Sequence, residues 1–123
     1  MSTPVGPYTP IVEAGPWLVC SGQLGLAPAA DGSAPGLVAG GPAPELTQAI
    51  ANAEALLTTH GATLAEVVKT TVFATDPADF PAVNEAYVAA FGDHRPARSM
   101  VAVSALPMGA TVEIEVWAYR SGS

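Results

Sequence analysis

The sequence predicts an α+β fold, a two-layer sandwich of order ββαβαββ with two helices on one face of a mixed four- or five-stranded sheet. Three patterns carry that expectation. Apolar residues recur at three- and four-residue steps over 46–57 and again over 80–91. Runs of β-branched and aromatic residues stand between and after them, at 66–74 and 111–119. The last run alternates, as a strand with one covered face does.

Taken in order, Pro4, Gly6, Pro7 and Pro10 keep the first ten residues extended or turning. Residues 11–13 and 17–21 read as a hairpin around Ala14-Gly15-Pro16. Residues 27–44 are rich in Gly, Pro and Ala, which predicts a loop with one short extended piece near Leu37-Val38. The first helix follows. Leu46, Ala49, Ile50, Ala53, Leu56 and Leu57 form its stripe, Pro44 suits its first turn, and Gly61 stands where a glycine cap belongs. Residues 66–74 are a strand. Asp76 or Asp79 then caps a second helix with stripe Phe80, Val83, Tyr87 and Phe91, ended by Gly92. Strands over about 98–104 and 111–119 close the chain around a Leu-Pro-Met-Gly-Ala turn.

In the last strand Val112, Ile114, Val116 and Ala118 point toward the helices, and Thr111, Glu113, Glu115, Trp117 and Tyr119 point away. A tryptophan-bearing face without cover is an unusually large apolar patch, so other subunits are expected against it, with ligand clefts between them.

The 123 residues fit one domain, spanning 1–123. Net charge is −7, with Lys69, Arg95, Arg98 and Arg120 against eleven acids. Such a balance opposes nucleic acid as the main partner and an anionic membrane surface as a docking site. A small anion held by one or two arginines stays open. Cys20 is the only cysteine, so no internal disulfide forms, and its apolar setting predicts a buried thiol. No apolar run reaches the ~20 residues of a membrane span, and the start lacks a signal-peptide core, so a cytoplasmic protein is expected. His60 and His94 have no second ligand at metal-binding spacing, and no metal site is expected.

Arg98 opens one closing strand and Glu113 sits in the other, which reads as a cation close to a carboxylate. Pattern alone leaves two uses open. Arg98 is either a structural ion-pair partner of Glu113 or Glu115, or an anchor for a ligand anion; Glu113 is either a solvated or axis-facing carboxylate, or a reactive one.

Several segments together resemble one family: GPYTP at 6–10, SGQ at 21–23, VVKTTVF at 67–73, DFPAVNEAY at 79–87, PARS at 96–99 and LPMGATVEIE at 106–115. Their order and spacing are similar to those of the RidA/YjgF family of reactive-intermediate (enamine/imine) deaminases, over nearly the whole chain. The PARS segment followed by the Leu-Pro turn and VEIE is the specific part. The resemblance implies a chorismate-mutase-like fold, a homotrimer with clefts between subunits, and hydrolysis of 2-imino acids and their enamines to 2-keto acids and ammonia without metal or organic cofactor. It implies that Arg98 binds the substrate carboxylate, that Glu113 orients the attacking water, and that Tyr8 lines the site. Met100 falls where a backbone group is offered to the ligand, Gly22 lies on the facing loop, and Asn84 and Phe91 lie near the cleft. Arg95, the short Gly92-Asp93-His94-Arg95 segment and Glu45 depart from the family pattern. They raise a second reading, a similar trimer with an altered cleft for a pathway-specific imine or carboxylate. A non-catalytic ligand-binding trimer is the third.

The chemistry suits these residue types. A planar, permanently charged guanidinium grips a carboxylate through two parallel hydrogen bonds. That fixes the neighbouring imine carbon, and a carboxylate near it assists water by general-base catalysis, typically a ~10²–10⁴-fold effect.

Overall fold

The structure, a computed structural model, describes residues 6–121. Strands β1 (Ile11–Ala14) and β2 (Trp17–Gln23) form the expected hairpin, with Ala14 paired to Trp17 across a two-residue turn. Gly15 opens that turn at φ +59, the positive value a II′-type hairpin requires there. The loop that follows carries a small ribbon, β3 (Leu26–Ala27) against β4 (Gly36–Leu37), at the short extended piece the sequence predicts. Helix α1 spans Pro42–Thr58. It ends as predicted: Gly61 takes φ +76, its N–H reaches Thr58 O at 3.1 Å, and Ala62 N–H reaches Leu57 O at 3.0 Å, the paired bonds of a Schellman motif.

β5 (Val67–Ala74) comes next, then helix α2 (Phe80–Phe91), led in by a short turn whose first N–H groups Asp76 caps through Ala78 N–H at 2.9 Å. β6 (Ala97–Ala102) and β7 (Val112–Tyr119) complete the chain. The sheet order is β1-β2-β7-β5-β6, mixed, with only β5 and β6 parallel. β6 and β7 therefore do not pair with each other, although they are consecutive in sequence; β5 lies between them.

Both helices cover one face. Leu18, Val72, Val112, Ile114, Val116 and Ala118 from the sheet meet Leu46, Ile50, Leu56, Leu57 and Val83 from the helices, all buried. The alternation predicted for the last strand is borne out residue by residue. On the other face Trp17, Trp117 and Tyr119 remain about 40% exposed and pack edge-to-face, with ring centroids 5.2–6.2 Å apart. Among the described residues no helix is long and apolar enough to cross a membrane. Cys20 lies in the core, where burial pushes its thiol up to about 12.

Candidate functional site

Arg98 is the second residue of edge strand β6, in register with Thr70 of β5. Thr70 lies buried beneath the helices, so Arg98 rises on the helix side of the sheet. There α2 meets it twice. Arg98 Nη1 donates to Asn84 Oδ1 at 2.8 Å, and its guanidinium carbon stands 4.9 Å from the centroid of the Tyr87 ring. No acidic side chain meets it among the described residues; the ion pair there joins Arg120 to Glu13. The structural ion pair left open by the sequence is not the one the protomer forms.

Met100 follows two residues later, in register with buried Val72 and partly packed on the core. Its backbone has a distinct position. Val103 N–H turns inward to Ala74 O at 2.8 Å. By the two-residue alternation of a strand, the N–H groups of Arg98 and Met100 point the opposite way, out of the free sheet edge. Side chain and backbone donors thus line one edge. Phe91 is buried behind this edge, its ring 4.7 Å from that of Tyr87.

Glu113 belongs to the other face. It is paired with Phe73 of β5 and leaves the sheet on the uncovered side. Partial burial, and then the neighbouring Glu115 charge, raise its carboxyl above the ordinary glutamate range. Beneath it lies Gly22, where the β2–β7 pairing is irregular between Cys20 and Gln23. A Cβ on Gly22 would stand 2.1 Å from Glu113 Oε2, so only glycine leaves the carboxylate its place. Tyr8 approaches the same end. Its segment is tied alongside β2 by Ser21 N–H to Pro10 O at 2.8 Å and Ser21 Oγ to Thr9 O at 2.6 Å, and its ring is exposed.

The predicted residues thus fall into two groups. Arg98, Asn84 and Met100, with Phe91 behind them, occupy the β6 edge on the helix side. Glu113 and Gly22 lie together on the open side, and the segment that carries Tyr8 runs alongside β2 next to Gly22. Within a protomer the reading of Arg98 as close to Glu113 is corrected. Two strand spacings separate their strands, about 10 Å, with a three-residue offset of about 10 Å along them, and the sheet itself lies between the side chains. An apolar groove of about 570 Å³ in the outer seam of α1 and α2, lined by Pro44, Thr47, Ala82 and Ala89 among others, contains none of these residues.

Arg95 is not part of either group. Its Nη1 donates to the carbonyls of Gly92 and His94, closing the end of α2. His94 Nε2 is 2.7 Å from Val67 O, which ties the short segment to β5. Among the described residues no three His, Cys, Asp or Glu side chains converge as a metal site needs. Glu45 is buried and accepts from Thr111 N–H and Oγ–H at 2.8 and 2.9 Å, so this departure clamps α1 to the start of β7. Tyr87, read from sequence only as part of a helical stripe, was the missed neighbour of Arg98. Its position three residues after Asn84 puts the two on one helix face.

A family model described as endoribonuclease L-PSP matches residues 1–120. The chain belongs to the RidA/YjgF/L-PSP family. Within that family it is 41% identical to a human 2-iminobutanoate/2-iminopropanoate deaminase over 94% of this chain and 82% of that one. A Salmonella typhimurium protein of the same name is 37% identical over 94% of this chain and 89% of that one. The E. coli YjgF structure superposes with a TM-score of 0.86 at 35% identity, covering 97% of this chain and 92% of that one. E. coli TdcF with bound serine gives 0.87 at 32% identity, covering 98% and 93%. The five-stranded mixed sheet with two helices is thus the fold of RidA-family structures.

Proposed function

We propose that this RidA-family protein hydrolyses 2-imino acids and their enamine tautomers to 2-keto acids and ammonia, in clefts that two subunits of a homotrimer build together. One observation carries the reading: a seated guanidinium that meets no acidic side chain among the described residues, and a carboxylate with a raised pKa, lie on opposite faces of one sheet. Neither half is a site alone. The uncovered Trp17, Trp117 and Tyr119 face offers the surface through which a second copy brings its Glu113, Gly22 and Tyr8 to Arg98 of the first. The relatives named as deaminases, and the amino acid held by a structural neighbour, support a small carboxylate ligand.

In this cleft Arg98 and the Met100 N–H hold the substrate carboxylate. That leaves C2 of the imine at a fixed height for water brought by the neighbour's Glu113. The carboxylate takes a proton from water as the new C–O bond forms, and the C=N π pair moves to nitrogen, which takes up a proton. Glu113 then returns its proton to the amine. The C–N bond breaks, the hydroxyl becomes the keto oxygen as its proton is lost, and ammonia leaves. The balance is imino acid plus water giving keto acid plus ammonia. The raised pKa of Glu113 makes it a stronger base than an ordinary glutamate.

Two observations weigh against other readings. Arg95, which with the short 92–95 segment raised the reading of an altered cleft, donates its Nη1 to the backbone carbonyls of Gly92 and His94. RNA as the main partner is opposed by a net charge of −7. The test is a coupled assay in which serine or threonine dehydratase generates the imine and keto-acid release is followed. Acceleration by the protein, lost in Arg98→Ala, is expected. Tight keto-acid binding without acceleration would instead identify a ligand-binding trimer.

A further inference from the structure

Arg98 stands on an edge strand and is itself exposed, a setting in which a long side chain ordinarily samples many rotamers. Here three residues of α2 and β5 restrict it. Asn84 Oδ1 takes one Nη1 hydrogen. The Tyr87 ring lies against the guanidinium. The Tyr87 hydroxyl is itself 2.9 Å from Thr70 Oγ1, and Thr70 is the β5 residue in register with Arg98. Arginine, tyrosine and threonine thus close a triangle over β6, α2 and β5. Thr70 is fully buried and Tyr87 nearly so, which makes this hydrogen bond one of the few polar contacts inside the core. A buried hydroxyl pair in such a place sets ring orientation more firmly than apolar packing alone.

We propose that Tyr87 is the positioning residue for Arg98. Its ring, fixed by Thr70, carries the guanidinium so that the edge not taken by Asn84 faces out of the sheet for a carboxylate. This rests on the reading of Arg98 as the carboxylate anchor and adds how that anchor is held. Tyr87 does not touch the reacting atoms. Its contribution is preorganisation: the guanidinium is oriented before the anion arrives, and the ordering cost is met by folding instead of by binding.

The consequence is a split between binding and turnover. Loss of the ring weakens carboxylate binding and leaves the later proton transfers, which involve Glu113 on the opposite face, nearly as they were. The probe is 2-oxobutanoate, a stable keto acid, titrated calorimetrically into the assembled protein, alongside KM and kcat in the dehydratase-coupled assay. Tyr87→Leu is expected to raise Kd and KM about tenfold with kcat within about twofold, and Tyr87→Phe, which keeps the ring but loses its tie to Thr70, to raise them by less, about threefold. A folded Tyr87→Leu protein with wild-type Kd overturns the proposal, as does a Tyr87→Phe protein damaged as badly as Tyr87→Leu. Should Tyr87→Leu fail to fold, the Arg98 side-chain NMR signals of the wild type decide. An upfield ring-current shift, identified by its loss in Arg98→Lys, supports the platform, and its absence overturns it. Arg98→Ala separates the two levels. If it binds 2-oxobutanoate as tightly as wild type, the anchor reading itself fails; if it loses binding while Tyr87→Leu does not, only the role of Tyr87 fails.

Discussion

Strand β7 has two faces, and they differ in whether the protomer completes them. Val112, Ile114, Val116 and Ala118 are wholly buried under α1 and α2, and every neighbour they need comes from the same chain. One residue away in each case, Glu113, Glu115, Trp117 and Tyr119 look out from a surface that holds two edge-to-face aromatic contacts and a carboxylate with a raised pKa. The covered face explains why the chain folds. The open face, with the β6 edge that carries Arg98, explains what the proposed assembly is for. Stability and proposed chemistry are thus divided by a period-two alternation, and substitutions on the two faces should separate them.

The sharpest way to break that division is Arg98→Ala. It should lower kcat/KM about 10²–10³-fold, since a charged anchor for the substrate is removed, while the thermal midpoint changes little because the side chain is exposed. Ile114→Ala tests the covered face of β7. Its side chain is fully buried, and the loss should cost about 2–5 kcal/mol in urea unfolding, with KM of the surviving folded protein unchanged.

Glu113→Gln comes next and should cut kcat about 10²-fold. It also carries a pH signature. The folded-state pKa of Glu113 is raised above its ordinary 4.5, so its ionised form is disfavoured by folding. Its contribution to stability is present at low pH and lost as pH rises through the raised value. Glu113→Gln should therefore be more stable than wild type at neutral pH, with the difference vanishing in acid. The acid limb of wild-type kcat/KM should likewise inflect above 4.5. The smallest effect belongs to neither face. Met108, in the turn between β6 and β7, holds φ +60 and is half exposed, and Met108→Gly should gain roughly 1 kcal/mol or less without altering activity.

The division was partly legible in the sequence. β7 alternates strictly, so its two faces and the outward turn of Glu113 follow from residue order alone. α1 was equally plain, with its stripe and its Gly61 cap, because both are local patterns. The side of the sheet taken by Arg98 was not legible. β6 is exposed along nearly its whole length, so no alternation of apolar and polar residues marks a face. What fixes Arg98 is the parallel register with β5, a contact across 28 residues of sequence. The same is true of Gly22, whose role appears only when the irregular pairing of β2 with β7 sets it under Glu113. Reading Arg98 and Glu113 as close was natural for consecutive strands, and the insertion of β5 between them is what corrected it.

Because these two residues lie on opposite faces, the account makes one demand that a self-contained site would not. Arg98→Ala and Glu113→Ala proteins, each inactive alone, are co-expressed in equal amounts and purified as mixed assemblies. If every cleft takes Arg98 from one subunit and Glu113 from the next, about a quarter of the clefts in randomly mixed trimers are intact, and about a quarter of wild-type imine-hydrolysing activity should return. Mixed trimers that remain as inactive as the parent variants, or a wild-type protein that is active as a monomer, would contradict it.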